Sequence, residues 1–419
     1  MSLKRLFALI ITILLIICVI WLATTSHLAV WPVRNSLQYQ ALTWWWHYVG
    51  EPQQGEPGVL TGTITNQHGE PLSGAWVLLS RWDGTTYHCR TDDQGRYQID
   101  GIPAGNYQPA AGAPDYDNQL GEAVTIEAGQ ITMLPIRLSL TAPHSVSPAQ
   151  RFSLSEPTSL TCYEPFVSTA NRRQVYFDNA GQPNQLTFYY TPITTTARLP
   201  ILLVIYPGPV DSWECASIPL TAGGFTVLAV GPPYSFAVEA QLDELERLID
   251  LAQGDVFPHG DGQRVGLLGG SFSSIHVQRI IQRRQDVQAA LLLGPPTDMF
   301  AMRHHLESGT FIPPFGLDQI MLAAGFPDRE MMRYWRYSAA YHVRPDFPPL
   351  AILHSRSDEV VPIEQSERLA TNLAAVGAVH ETYFFDGASH YLMAAEADED
   401  TDKVYHITLD FFARHLAQD

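Results

Sequence analysis

Three residues far apart in the chain have the types and the order that nucleophilic acyl transfer needs: Ser271, Asp358 and His390. A serine hydroxyl is a weak nucleophile near neutral pH. It becomes reactive when an imidazole takes its proton and a carboxylate orients that imidazole. Ser271 stands in Gly269-Gly270-Ser271-Phe272-Ser273, after the apolar run 265–268 and before the helically spaced stretch 275–281. A strand turning at once into a helix, with serine at the bend, is the context of a nucleophile elbow. The glycines permit a tight turn and close helix–strand packing. The usual pattern ends in glycine; here Ser273, a small residue, holds that place. The helix start beyond the serine offers backbone N–H groups to an oxyanion. Taken alone, these five residues also suit a plain Gly/Ser turn between core elements.

Asp358 lies in the segment 354–362, just after the apolar run 350–353, and His390 follows the run 382–385 in the same way. Both are therefore expected in loops at the carboxyl ends of strands. Read separately, Asp358 suits a helix N-cap and His390 a surface loop. The order Ser, Asp, His over three matching contexts favours one site.

The elements around them read as α/β from residue 200 onward. Runs 201–206, 225–230, 265–268, 287–293, 350–354 and 382–385 have the continuous apolar character of buried parallel strands. Helical spacing appears at 238–251, 364–376 and 407–416. Alternating strands and helices predict a doubly wound, mainly parallel sheet. Residues 172–190 suit one or two edge strands with a turn at 178–181. Residues 295–349 break the rhythm and are expected to form a helical cap, rich in methionine and aromatic residues such as Met299, Phe300, Met331, Tyr334 and Trp335. Such residues either line an apolar binding surface or form helix-packing core; core is the expectation.

Before this domain the texture differs. Residues 6–23 form an apolar run of about eighteen residues, near the minimum for a membrane span, with Lys4 and Arg5 before it and no further lysine or arginine until Arg34. The positive-inside rule keeps the N-terminus cytoplasmic and exports the rest. An uncleaved anchor is expected; a cleaved signal ending near Thr24-Thr25-Ser26, which would release a secreted protein, is the rival. Residues 24–57 are aromatic-rich (Trp31, Trp44, Trp45, Trp46, Tyr48) and either sit at the membrane interface or pack on the next domain. Residues 58–140 show short alternating runs between Gly/Pro turns, the pattern of a small β-sandwich. Asp92, Asp93 and Asp100 read as turn residues rather than a calcium site. Residues 141–161, rich in Ser, Pro and Thr, read as a linker, and 162–419 as the catalytic domain. If the exported cysteines Cys89, Cys162 and Cys215 form a bond, Cys162–Cys215 is the expected pair; three buried thiols are the alternative. The net charge of −18, with only two lysines, argues against nucleic-acid binding. No cofactor or metal is expected.

Two resemblances sharpen this reading. Residues 62–65, 69–75, 91–99 and 101–107 resemble the carboxypeptidase regulatory-like domain, a transthyretin-like sandwich, which implies no catalysis. From about residue 175 to the C-terminus the chain resembles the α/β-hydrolase catalytic domain of prolyl oligopeptidases and dipeptidyl peptidases. The matching pieces are residues 202–209, Gly269-Gly270-Ser271-Phe272, Tyr337-Ser338-Ala339, residues 350–362 with Asp358, and 387–390. The resemblance implies Ser271 as nucleophile, His390 as base and Asp358 as its partner. It also implies that the Tyr206 hydroxyl donates to the oxyanion beside the N–H of Phe272. Pro207 and Pro209 support this, because proline has no N–H to donate. Ser273 departs from the family pattern, and the β-propeller of those peptidases is absent, which leaves ester and short-peptide substrates both open. A binding protein with a decayed hydrolase domain is the reading from another class.

Overall fold

The computed structural model describes residues 56–417 except 143, 150, 179–185, 235–236, 312–320, 322–323, 388 and 394–398; before residue 56 it describes only 12–18 and 20–21. The runs expected as strands pair into one ten-stranded sheet. In chain order its strands are β1 (Phe152–Leu154), β2 (Thr158–Cys162), β3 (Ser168–Phe177), β4 (Thr187–Pro192), β5 (Leu199–Ile205), β6 (Thr226–Val230), β7 (Gly260–Gly270), β8 (Ala289–Leu293), β9 (Leu350–Ser355) and β10 (His380–Phe385). The spatial order is β1-β3-β4-β6-β5-β7-β8-β9-β10, with β2 also paired to β3. From β6 to β10 every pairing is parallel. The strands β1 to β4 form an antiparallel edge.

The helices are α1 (Glu214–Ala222), α2 (Val238–Gln253), α3 (Ser274–Arg283), α4 (Met299–Ser308), α5 (Met331–Arg336), α6 (Glu364–Val376) and α7 (Glu399–His415). They cover both faces of the sheet, which is why β6, β8 and β9 are buried at every position. The period-2 geometry of a strand sorts β5 cleanly. Ile201, Leu203 and Ile205 join the core under α2 and α3, whereas Leu202 and Val204 join the core that holds Phe411 and Phe412 of α7.

This topology positions the chemistry. Parallel register aligns the carboxyl ends: Gly270 pairs with Leu293, Leu293 with Leu353, and Ser355 with Phe385. Ser271 therefore follows β7, Asp358 follows β9 and His390 follows β10 along one edge of the sheet. That edge is where open α/β sheets bind their ligands.

The stretch 141–161 needs correction, because it is not a linker throughout. Residues 152–154 and 158–162 pair antiparallel with β3 and extend the sheet. These edge strands are short and mostly half-exposed, so their polar faces look like linker composition. Cys162, at the end of β2, is disulfide-bonded to Cys215 in α1, tying that edge to the domain. Cys89 is free.

The N-terminal domain is a sandwich of two small sheets. One runs in the order Ile136–Arg137, Gly58–Thr65, Arg96–Ile102; the other in the order Thr86–Arg90, Trp76–Ser80, Ala110–Gly112, Gln119–Leu120. Leu60, Ile64, Val77, Leu79, Tyr97 and Ile99 fill the space between them. Asp92 is a turn residue: its Oδ1 accepts the N–H groups of Gln94 and Arg96. The sandwich leans on the cap, with Trp76 edge-on to Tyr341 at 5.2 Å and Asp115 paired to Arg344 at 2.8 Å.

In the cap, Met299, Phe300, Met331, Tyr334 and Trp335 are each 2% exposed or less. They are helix-packing core and not a binding surface. No helix among the described residues is long and apolar enough to cross a membrane. Within the apolar run 6–23, residues 12–18 and 20–21 are helical and exposed; the rest of it, residues 24–55 of the aromatic-rich segment and residues 179–181 of the expected turn lie outside the described residues.

Candidate active site

The elbow is built by close packing around a strained residue. Ser271 has φ 52°, a left-handed conformation that costs a non-glycine residue energy. A β-carbon on Gly269 would lie 2.8 Å from Ser274 Cα, and one on Gly270 would lie 2.9 Å from the Tyr206 ring. Only glycine therefore lets α3 close onto β7 and lets Tyr206 lie against the turn. Ser273, in the place where glycine is usual, is fully buried, and its hydroxyl has no hydrogen-bond partner among the described residues. A 3₁₀ turn spans Ser271–Ser273, and α3 follows directly from Ser274. The N–H of Phe272, the residue after the serine, thus falls in the first turn of the helical segment.

Ser271, His390 and Asp358 meet although 119 and 32 residues separate the successive pairs. His390 Nε2 lies 2.7 Å from Ser271 Oγ, and His390 Nδ1 lies 2.7 Å from Asp358 Oδ2. A carboxylate only accepts, so Nδ1 carries a proton and Nε2 is left to receive the serine's. Asp358 Oδ1 accepts the N–H groups of Val360 and Val361, each at 2.8 Å. Burial alone would raise the Asp358 carboxyl. Hydrogen bonds from His354 and His390 outweigh burial and hold it well below the usual carboxylate range. It stays ionised at any pH at which an imidazole can act as base.

Tyr206 stacks on Trp213 with ring centroids 4.8 Å apart, and its hydroxyl donates to Met393 Sδ at 3.4 Å. Burial pushes the phenol up, so it remains a donor. Thioether sulfur is a weak acceptor, which leaves that donor weakly engaged.

Several neighbours were not legible as site residues in the sequence. Gly294, at φ 52°, follows β8; a β-carbon there would lie 3.2 Å from Asp358 Oδ2 and 3.3 Å from the His390 ring. His354 reaches Asp358 Oδ2 at 3.0 Å. Tyr391 is edge-on to His390 at 5.4 Å, and Tyr234 lies 5.8 Å from Phe272; both rings are partly exposed. A strand-end glycine preceding Pro295 signals a turn, but no local pattern announces contacts made through space.

Comparison with known proteins places both parts of the chain. Residues 59–139 match the carboxypeptidase regulatory-like domain, and residues 254–419 match the prolyl oligopeptidase family. The peptidase YuxL of Bacillus subtilis (strain 168) is 27% identical over 159 residues, which is 38% of this chain and 23% of that protein. The match thus spans about a quarter of the relative's length. The acylaminoacyl peptidase of Pyrococcus horikoshii superposes with a TM-score of 0.50 at 12% identity, covering 83% of this chain and 70% of that one. Esterase 2 of Thermogutta terrifontis gives 0.45 at 15% identity, over 58% of this chain and 94% of that one. At 12% identity the likeness to the Pyrococcus peptidase is one of fold.

Proposed function

We propose that this chain, in which a carboxypeptidase regulatory-like domain precedes a segment of the prolyl oligopeptidase family, is a serine hydrolase that cleaves an ester or a short peptide bond. The observation that carries the reading is the continuous hydrogen-bonded path from Ser271 Oγ through His390 to Asp358, with both links at 2.7 Å. Ser271 Oγ attacks the substrate carbonyl carbon while His390 Nε2 takes its proton. Asp358 holds the resulting imidazolium. The tetrahedral oxyanion accepts from the Phe272 N–H and the Tyr206 hydroxyl. His390 then protonates the leaving alcohol or amine, and the acyl-enzyme is hydrolysed by the same steps with water as nucleophile.

A panel of nitrophenyl esters and aminoacyl nitroanilides tests the reaction class. Ester cleavage is expected, and amide cleavage separates the two substrate classes. Failure of the whole panel counts against the hydrolase.

The Tyr206 role makes its own prediction. Its hydroxyl now rests on a weak sulfur acceptor, so an oxyanion would draw it readily. Tyr206→Phe is expected to lower kcat by about 10²–10³ with little change in KM, because the bond forms chiefly in the transition state. Steady-state kinetics with a thermal melt is the check. A folded mutant within about threefold of wild type would leave the oxyanion to backbone donors.

The location proposed is the outer face of a membrane, anchored through residues 6–23 with the N-terminus cytoplasmic. The apolar run behind Lys4 and Arg5 supports it, as does the Cys162–Cys215 disulfide, since such bonds persist in oxidising compartments. Protease added to intact cells should digest the large C-terminal part while alkaline extraction leaves the chain in the membrane. Protection from the protease counts against export.

A further inference from the structure

We propose that His354 is a positioning residue for this reaction, its Nε2–H holding Asp358 Oδ2 so that the carboxylate presents one fixed lone pair to His390. The proposal rests on the serine-hydrolase reading above. His354 is the penultimate residue of β9 and is fully buried. Its Nδ1 lies 2.7 Å from Ser366 Oγ, and its Nε2 lies 3.0 Å from both Val361 O and Asp358 Oδ2. Neither a carbonyl nor a carboxylate can donate, so the proton is on Nε2, shared between those two oxygens. Nδ1 pairs with the Ser366 hydroxyl.

With this bond the Asp358 carboxylate is filled. Oδ1 takes two backbone N–H groups, and Oδ2 takes one imidazole N–H from each side. The backbone bonds fix one oxygen only. His354 fixes the other, the one that faces His390. Through Val361 O and Ser366 Oγ the same ring ties the end of β9 to the loop carrying Asp358 and to the start of α6. No atom of His354 need touch substrate; it acts through Asp358.

Three full-length variants test this: His354→Leu, which removes the donor; His354→Gln, whose amide can reach the same oxygen; and Ser366→Ala, which leaves the Nε2–H in place. The readouts are kcat and KM on a nitrophenyl ester, the rate of fluorophosphonate attachment to Ser271, and the low-field Nδ1 proton resonance of His390. Loss of a hydrogen bond to a charged group predicts that His354→Leu lowers kcat and the labelling rate by about 10- to 100-fold, with KM little changed. His354→Gln and Ser366→Ala should both stay within about threefold of wild type. If leucine prevents folding, His354→Asn, too short to reach Oδ2, takes its place with the same expected loss. Wild-type rates in the folded leucine or asparagine variant overturn the proposal. So does glutamine or Ser366→Ala being as slow as leucine, since His354 would then be only a packing residue. A His390 proton resonance unmoved by His354→Leu also overturns it. Lack of turnover in the wild-type protein strikes the serine-hydrolase reading instead, and the resonance still decides the role of His354.

Discussion

Ser271→Ala is expected to lower kcat by about 10⁶, the loss typical when a serine nucleophile is removed from an intact triad. The effect is this large because serine, imidazole and carboxylate act as a unit. Without Oγ, His390 has no proton to take and no acyl-enzyme forms. What survives is the contribution of substrate binding and the oxyanion donors, about 10³–10⁴ over water. The fold should persist. Alanine meets the same backbone strain at φ 52° as serine does, and the packing of Gly269 and Gly270 is untouched. No neighbouring serine is placed to substitute. Ser273 is fully buried, and Ser274 Oγ donates to the Ser271 carbonyl at 2.6 Å. Steady-state kinetics beside a thermal melt is the check. Activity within about tenfold of wild type would mean that the nucleophile lies elsewhere.

Asp358→Asn should lower kcat by about 10³–10⁴. The hydrogen-bond pattern gives the reason. Oδ1 faces two backbone N–H groups and Oδ2 faces two imidazole N–H groups. An amide has one acceptor end and one donor end, so either orientation sets its NH₂ against two donors. With the oxygen kept on the backbone side, the NH₂ meets His390 Nδ1 and drives the ring to the tautomer whose Nε2 carries hydrogen. That tautomer cannot take the proton of Ser271. With the amide reversed, the clash moves to Val360 and Val361, at a cost of about 1–3 kcal/mol for buried donors left without an acceptor. A modest fall in melting temperature should accompany the loss of turnover. Other acids are poorly placed to compensate. Asp386 is 91% exposed on its side chain, and Glu359 reaches only the backbone N–H of His390, at 3.4 Å. Near-wild-type turnover in a folded Asp358→Asn would show that His390 does not depend on Asp358.

How far the sequence carries depends on what kind of signal each feature leaves. The parallel strands were legible because burial on both faces leaves unbroken apolar runs, as in Leu199–Ile205 and Ala289–Leu293. Ser271, Asp358 and His390 were legible because strand ends mark where a parallel sheet places its loops. The edge strands Phe152–Leu154 and Thr158–Cys162 were not, since a half-exposed edge alternates with polar residues and merges with a linker. The last helix already covers Glu399 to Asp402, ahead of the expected stretch from residue 407, because Glu399, Asp400, Thr401 and Asp402 leave no apolar stripe to read. His354, Gly294 and Met393 stayed hidden for another reason: each matters through a contact across the fold, and its own neighbours in sequence say nothing about the partner.

The central claim is that Ser271 is an activated nucleophile, and covalent capture tests it most directly. A fluorophosphonate reacts with a serine whose proton is being withdrawn by a correctly placed base. Incubation of the folded protein with such a probe, followed by digestion and mass spectrometry, should yield one phosphonyl adduct on the peptide containing Ser271 and none in Ser271→Ala. A folded wild-type protein that takes up no probe, or an adduct that persists in Ser271→Ala, would contradict the account.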